Sequence, residues 1–224
     1  MTSAPPPAAK SRSPAPVGVA GNPARFAGAY EEESVVRQKA SDAPATHIGR
    51  GRVEEQSTDD LIAGLFESAQ AVYEQPDLTG AAYLLLDLAM QAVPSDSGAV
   101  FIADINRQDL FFAAARGPKG QEAMKFRVPM GQGIVGFSAQ AGVSLAVSDV
   151  QRDPRFYARI AQSLGYETRS ILCSPAQKEG RVFGALELIN KKNGTSYTSE
   201  EVSLLNYLAH ELAEYLVSTG QAGA

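Results

Sequence analysis

Residues 131–156 read GQGIVGFSAQAGVSLAVSDVQRDPRF, residues 168–175 read TRSILCSP, and residues 180–201 read GRVFGALELINKKNGTSYTSEE. In order, these set out a glycine-rich turn into a short helix, a loop with two aspartates, two strands and the start of a long helix. Asp153 before Pro154 predicts a helix start, because a carboxylate caps free N–H groups and proline lacks only an N–H that the first turn does not use. That helix is expected to run to Leu164 and stop at Gly165, a residue suited to a left-handed cap. Ser170–Cys173 and Val182–Asn190 read as strands. The run Thr198-Ser199-Glu200-Glu201 has capping-box spacing, and the helix it opens carries Val202, Leu205, Leu208, Leu212 and Leu216 on one face.

Upstream, Leu61, Ile62, Leu65, Phe66, Ala69, Val72 and Tyr73 recur at helical spacing behind a Ser57/Asp60 start, and Pro76 with Asp77 ends the run. A second helix is expected over Thr79–Val93, with the apolar stretch Tyr83–Met90 implying deep burial. Gly98–Asp104 and Leu110–Ala115 flank the turn-like Asn106–Asp109 and predict a hairpin. Lys125–Pro129 and Val143–Val147 supply two more strands. Six antiparallel strands with helices packed on them give an α+β fold.

Residues 1–56 differ in composition from the rest. They hold seven of the thirteen prolines and no sustained apolar period, so too little surface can be buried to offset ordering, and a disordered tail is expected. Within it, residues 25–39 (RFAGAYEEESVVRQK) place Phe26, Tyr30, Val35 and Val36 at rough helical spacing, which leaves folding on a partner open. The ordered domain is expected over 57–217 and a short disordered end over 218–224. The chain is 44% hydrophobic and 20% charged with a net charge of −5, a balance that argues against electrostatic capture of nucleic acid or an anionic membrane. Cys173 is the single cysteine, which excludes an internal disulfide or a cysteine-rich zinc site and fits a reducing compartment. His47 and His210 build neither a metal site nor a catalytic triad. No apolar run approaches the roughly 18 residues of a membrane span, and a cytoplasmic location is expected.

Taken in order, these motifs resemble a GAF domain over roughly residues 57–217. The resemblance implies a six-stranded antiparallel sheet with helices on both sides and a sensory or regulatory role. Asn190, Lys191, Tyr197 and Glu201 resemble the "NK…F…D/E" signature of regulatory GAF domains in cyclic-nucleotide phosphodiesterases, with Tyr197 standing for a phenylalanine and Glu201 for an aspartate. Carried over, Lys191 pairs with Glu201 and ties a strand to the last helix. The capping box competes for the same carboxylate. The family's habit of pairing through terminal helices implies a homodimer, with Leu205, Leu208, Leu212, Tyr215, Leu216, Phe66 and Tyr73 as the seam. Some proteins of this fold reduce free methionine sulfoxide through cysteine pairs, which the lone Cys173 does not match.

The candidate ligand-binding residues follow from chemistry and place. Arg155 and Tyr157 in the DVQRDPRFY loop offer a cation and a stacking ring; a structural role for them is equally open. Thr168, Arg169 and Ser170 open a strand facing that loop, and Arg169 suits a carboxylate, phosphate or carbonyl unless it pairs with a structural acid. Glu187 faces either a pocket or solvent; if inward, it would want a cationic or hydrogen-bonding ligand. The sequence names no catalytic residue, metal or cofactor. The expected function is a stand-alone cytoplasmic module that binds a small molecule, such as a nucleotide or another anionic metabolite, and signals through an unidentified protein partner. The alternative is a ligand-free dimerisation scaffold. A pocket filled by Phe101, Phe111, Phe112 and Phe126 favours the scaffold, and a polar pocket with Arg169 inside favours the sensor.

Overall fold

The computed structural model describes residues 58–194 and 196–221. The tail expected over 1–56, the Ser57 cap and residues 222–224 lie outside the described residues.

Helix α1 (Thr58–Gln70) runs into a 3-10 turn at Ala71–Glu74, and α2 (Leu78–Ala92) begins where the Asp77 carboxylate accepts the Gly80 N–H at 2.8 Å. There follow β1 (Ser95–Asp104), β2 (Asp109–Arg116), α3 (Gly120–Ala123), β3 (Arg127–Pro129) and α4 (Gly133–Ala141). The chain closes with β4 (Leu145–Val147), α5 (Arg159–Leu164), β5 (Ile171–Lys178), β6 (Arg181–Lys191) and α6 (Ser199–Ser218). The six strands form one antiparallel sheet in the order β3-β2-β1-β6-β5-β4, with helices on both faces. This is the α+β architecture expected.

Strand alternation divides the core in two. Leu172, Leu186 and Leu188 face α2 and α6, where Leu85, Leu86, Leu205, Leu208 and Leu212 complete the larger apolar cluster. Ala185 and Cys173 face the other way with Phe101, Val128, Ile134 and Ile171, under α4. β6 lies so close to β1 that a Cβ on Gly184 would collide with the Phe101 carbonyl oxygen. A register shift between Val100 and Phe101 interrupts the β1–β2 ladder. Such a bulge breaks strict alternation, and it lets Phe112 and Ala115, three residues apart, line the same face.

Several boundaries differ from those expected. Asp153–Pro154 does not open a helix: the Asp153 carboxylate is taken by the Arg155 N–H at 2.9 Å and by the Arg155 guanidinium, so the chain turns locally and α5 starts at Arg159. Gly165 does end it, at φ 59°. β5 passes through Pro175 to Lys178, because β4 pairs only as far as Cys173 and leaves that side of β5 an edge where proline is tolerated. β1 starts three residues early, at Ser95, through pairing with Lys191.

The α6 residues of the expected dimer seam point inward. Leu205, Leu208, Leu212, Tyr215 and Leu216 are at most 2% exposed, covered by the protein's own core. Of that set only Phe66 (39%) and Tyr73 (45%) reach the surface. Phe66 meets Tyr207 edge-on at 4.3 Å, and the Tyr73 hydroxyl donates to Glu211 at 2.9 Å, fastening α1 and the turn after it to α6. No helix among the described residues is long and apolar enough to cross a membrane.

Candidate functional site

Between the sheet face opposite α6 and the segment 150–166 lies a cavity of about 120 Å³. Its floor is Ala99 and Phe101 of β1, Phe112 of β2, Ile171 of β5, and Glu187 and Ile189 of β6. α4 supplies Ile134 and Val135, and the segment above supplies Phe156, Tyr157, Ile160, Ala161 and Leu164. Arg116, Lys119, Gly120 and Ala123 border it on the α3 side. The glycine-rich turn that leads into α4 needs left-handed backbone, with Gly131 at φ 79° and Gly133 at φ 71°, a conformation glycine adopts without penalty.

Glu187 is the exceptional residue of this lining. It is 7% exposed and opposes Cys173 on one side and Ala99 on the other, both small. No cation or hydrogen-bond donor among the described residues meets its carboxylate. Burial pushes that carboxyl from an ordinary 4.5 up to about 7, since a charge without a partner is poorly solvated there. Cys173 is fully buried, and burial, with the Glu187 charge beside it, pushes its thiol well above the ordinary range. A thiolate nucleophile is therefore disfavoured at this position.

The other candidates divide. Tyr157 and Thr168 line the cavity with Glu187, whereas Arg155, Arg169 and Ser170 do not. Arg155 is held by Asp153, Nη2 to Oδ2 at 2.6 Å, and lies 5.1 Å from the Phe137 ring centre; the pairing holds the Asp153 carboxyl below its usual range. Arg169 turns outward, half-exposed, and donates to Asp96 at 3.2 Å. Ser170 is fully buried between strand ends, its hydroxyl accepting the Lys191 N–H at 3.1 Å and lying 3.3 Å from the Tyr197 hydroxyl.

Asn190 joins these pieces. At φ 59° it sits in left-handed backbone, and its Oδ1 accepts the Arg169 N–H at 2.7 Å. Its Nδ2 donates to the Glu167 carbonyl at 2.7 Å and to the Tyr166 hydroxyl at 3.3 Å. Ser97 Oγ donates to the same Tyr166 hydroxyl at 2.8 Å. Next door, Lys191 Nζ donates to Glu201 Oε2 at 2.7 Å, and that oxygen also accepts the Thr198 N–H at 2.8 Å. One carboxylate thus serves both the strand-to-helix ion pair and the capping box. Burial raises the Tyr197 hydroxyl beside them to about 12.

Sequence reasoning named Phe101 and Phe112 as possible pocket filling but missed Tyr166 and did not bring Phe156 to the same cavity. The bulge and the Asp153 turn that bring them together have no periodic signal. Among the described residues there is no cluster of three or more His, Cys, Asp or Glu able to hold a metal ion.

Residues 77–216 match the GAF domain family. The chain is 31% identical over 139 residues to the dual 3',5'-cyclic-AMP and -GMP phosphodiesterase 11A of Takifugu rubripes, a match covering 58% of this chain and 15% of that protein. The chain thus spans well under a fifth of that relative's length. Among solved structures, the GAF domain of a phosphoenolpyruvate-protein phosphotransferase from Coxiella burnetii aligns with a TM-score of 0.64 at 23% identity, covering 72% of this chain and 95% of that one. Free methionine-R-sulfoxide reductase from Neisseria meningitidis, solved with its substrate, aligns with a TM-score of 0.61 at 20% identity, covering 80% and 98%. At these identities the structural likeness speaks for the fold alone. With the family match extending over more than half its length, the chain belongs to the GAF domain family.

Proposed function

We propose that this GAF domain is a non-catalytic regulatory module in a cytoplasmic setting, which takes a small molecule into the cavity beneath residues 150–166 and relays occupancy through protein contacts. The observation that carries this is a mainly apolar cavity holding one buried carboxylate that meets no partner among the described residues. A buried, unpaired polar group costs on the order of 1–3 kcal/mol, and a ligand that satisfies it recovers that cost. Because the ligand would touch floor and roof together, it binds the closed arrangement better than an open one, which is the differential affinity a switch requires. Output would pass through α1 and α6. A pairing of two copies would use Phe66, Tyr73 and their exposed neighbours in place of the buried α6 leucines.

Volume bounds the ligand. An apolar cavity of ~150 Å³ lodges a benzene molecule, so about 120 Å³ takes roughly one ring. A nucleotide would seat its base inside and direct its phosphate out past Lys119. The scaffold reading draws support from Phe101 and Phe112, whose rings lie 4.3 Å apart on the cavity floor. Phe111, however, packs on the opposite face with Arg127 above its ring, and Phe126 lies outside the lining, so the aromatic filling is partial.

A thermal-shift screen of the full chain against nucleotides, cyclic nucleotides, small anionic metabolites and small organic cations tests the reading. A saturable rise in melting temperature supports it, since only the folded form binds. A flat response across the panel favours the scaffold.

A further inference from the structure

Charge, wall chemistry and volume together narrow what the cavity accepts. The lining brings a single buried acid, Glu187, and no buried base. Its two bordering cations already have acidic partners: Arg116 is bound by Asp87 at 2.7 Å and Lys119 by Glu122 at 3.2 Å. The rings of Phe101, Phe112, Phe156 and Tyr157 line the same cavity, and aromatic faces attract positive charge. An anion brought here would meet like charge and apolar walls, with nothing to replace its water. A neutral ring would gain burial but leave the carboxylate or its proton only partly satisfied.

We infer that the cavity is a receptor for a small organic monocation, an amidinium or ammonium group on an apolar body of about one ring, with Glu187 as its counter-ion. This inference rests on the reading of the cavity as a ligand site. An amidinium presents two parallel N–H donors to two carboxylate oxygens, the geometry that makes such pairs strong. The ordinary cost of burying an ion pair is reduced, because the carboxylate is already desolvated before the ligand arrives.

Capture is coupled to protons. Cys173 opposes Glu187 from β5, Tyr157 and Tyr166 line the same cavity from the roof with Lys119 and Arg116 at its border, and Tyr197 lies within electrostatic reach from the other face of the sheet. Burial holds the Cys173 thiol well above its ordinary range, whereas it brings the Glu187 carboxyl to about 7, so Glu187 is the group that responds. A carboxyl held partly protonated by burial must give up its proton to meet a cation, so binding releases protons and tightens as pH rises from 6 to 8.

Three near-isosteres separate the possibilities: benzamidine (cation), benzamide (neutral) and benzoate (anion), each titrated into the full chain at pH 6, 7 and 8 by calorimetry in two buffers of different ionisation enthalpy. The expected order is benzamidine first, at least tenfold tighter than benzamide, with benzoate not binding. Benzamidine should release protons, and its advantage over benzamide should vanish in Glu187→Gln while benzamide affinity changes less than threefold. Benzamide or benzoate binding as tightly as benzamidine overturns the charge assignment but leaves the ligand site standing. So does a benzamidine preference that survives Glu187→Gln. Binding of none of the three overturns both the assignment and the site.

Discussion

Replacing Glu187 with glutamine exchanges a titratable group for a neutral one of nearly the same shape, and the effect can be worked out from the burial of that group alone. Burial holds the carboxyl at about 7 in the folded chain against an ordinary 4.5. The folded state therefore keeps a proton that the unfolded state has already lost, and stability falls as pH rises between those values. It is fully present below 4.5 and lost as pH passes through 7. At about 1.4 kcal/mol per unit the total is about 3 kcal/mol, of which about 2.5 kcal/mol falls between pH 5 and pH 8. Glu187 is 7% exposed, so solvent screening removes little of this. The glutamine variant lacks the term. Wild type should lose about 2.5 kcal/mol relative to it over that range, roughly 5–10 °C in melting temperature for a domain of this size. Urea and thermal unfolding of both proteins at pH 5, 6, 7 and 8, without ligand, measure the difference, and every other titrating group is common to both and cancels. Stability curves that stay parallel within about 0.5 kcal/mol would refute the claim that Glu187 is buried without a partner.

Lys191→Ala breaks an ion pair whose side chains are only 9% and 17% exposed, and urea unfolding should show a loss of about 3 kcal/mol; a loss below about 1 kcal/mol would mean that the helix cap alone satisfies Glu201. Arg169→Ala removes an exposed contact with Asp96, so stability should change by less than about 1 kcal/mol, and calorimetry with benzamidine should return the wild-type affinity. Asn190→Ala and Asn190→Gly lose the same side-chain hydrogen bonds, but only alanine is strained at φ 59°. Glycine should therefore be the more stable of the two by about 1 kcal/mol in thermal unfolding.

Much of the architecture was legible because β6 and α6 obey simple periods. The run Ala185–Leu186–Glu187–Leu188–Ile189 alternates strictly, so once Leu186 and Leu188 are assigned to the helix-covered face, Glu187 must lie on the other. What alternation could not supply was whether that second face is roofed, and this left Glu187 undecided between pocket and solvent. The roof depends on local electrostatics that carry no period. Asp153 and Pro154 have the chemistry of a helix start, yet Arg155 lies two residues away and its guanidinium captures the same carboxylate. Arg169 illustrates the converse limit. Its place before a central strand suggested the cavity, but Asp96 is 73 residues distant in sequence, and only the folded sheet, with β6 paired to both β1 and β5, brings the two together. The β1–β2 bulge is hidden for the same reason, since LFFAAA reads as an unbroken strand. Glu201 was legible in both its roles because the capping box is local and the lysine pairing came with the family signature.

The roof segment is hydrogen-bonded to the sheet at its two ends and rests on it between them through side-chain packing such as that of Phe156 and Ile160. At the start, the Val150 N–H reaches the Arg169 carbonyl at 2.9 Å, and at the end Tyr166 and Glu167 are held by Asn190. Between these anchors no residue of α5 is fully buried, and the strong bonds, such as Asp153 with Arg155, are internal to the segment. Raising its middle would break no ladder bond of β5 or β6, so a molecule could enter or leave without unravelling the strands beneath. Amide exchange would register this as fast opening over residues 155–164, bracketed by slow protons at Val150 and Arg169.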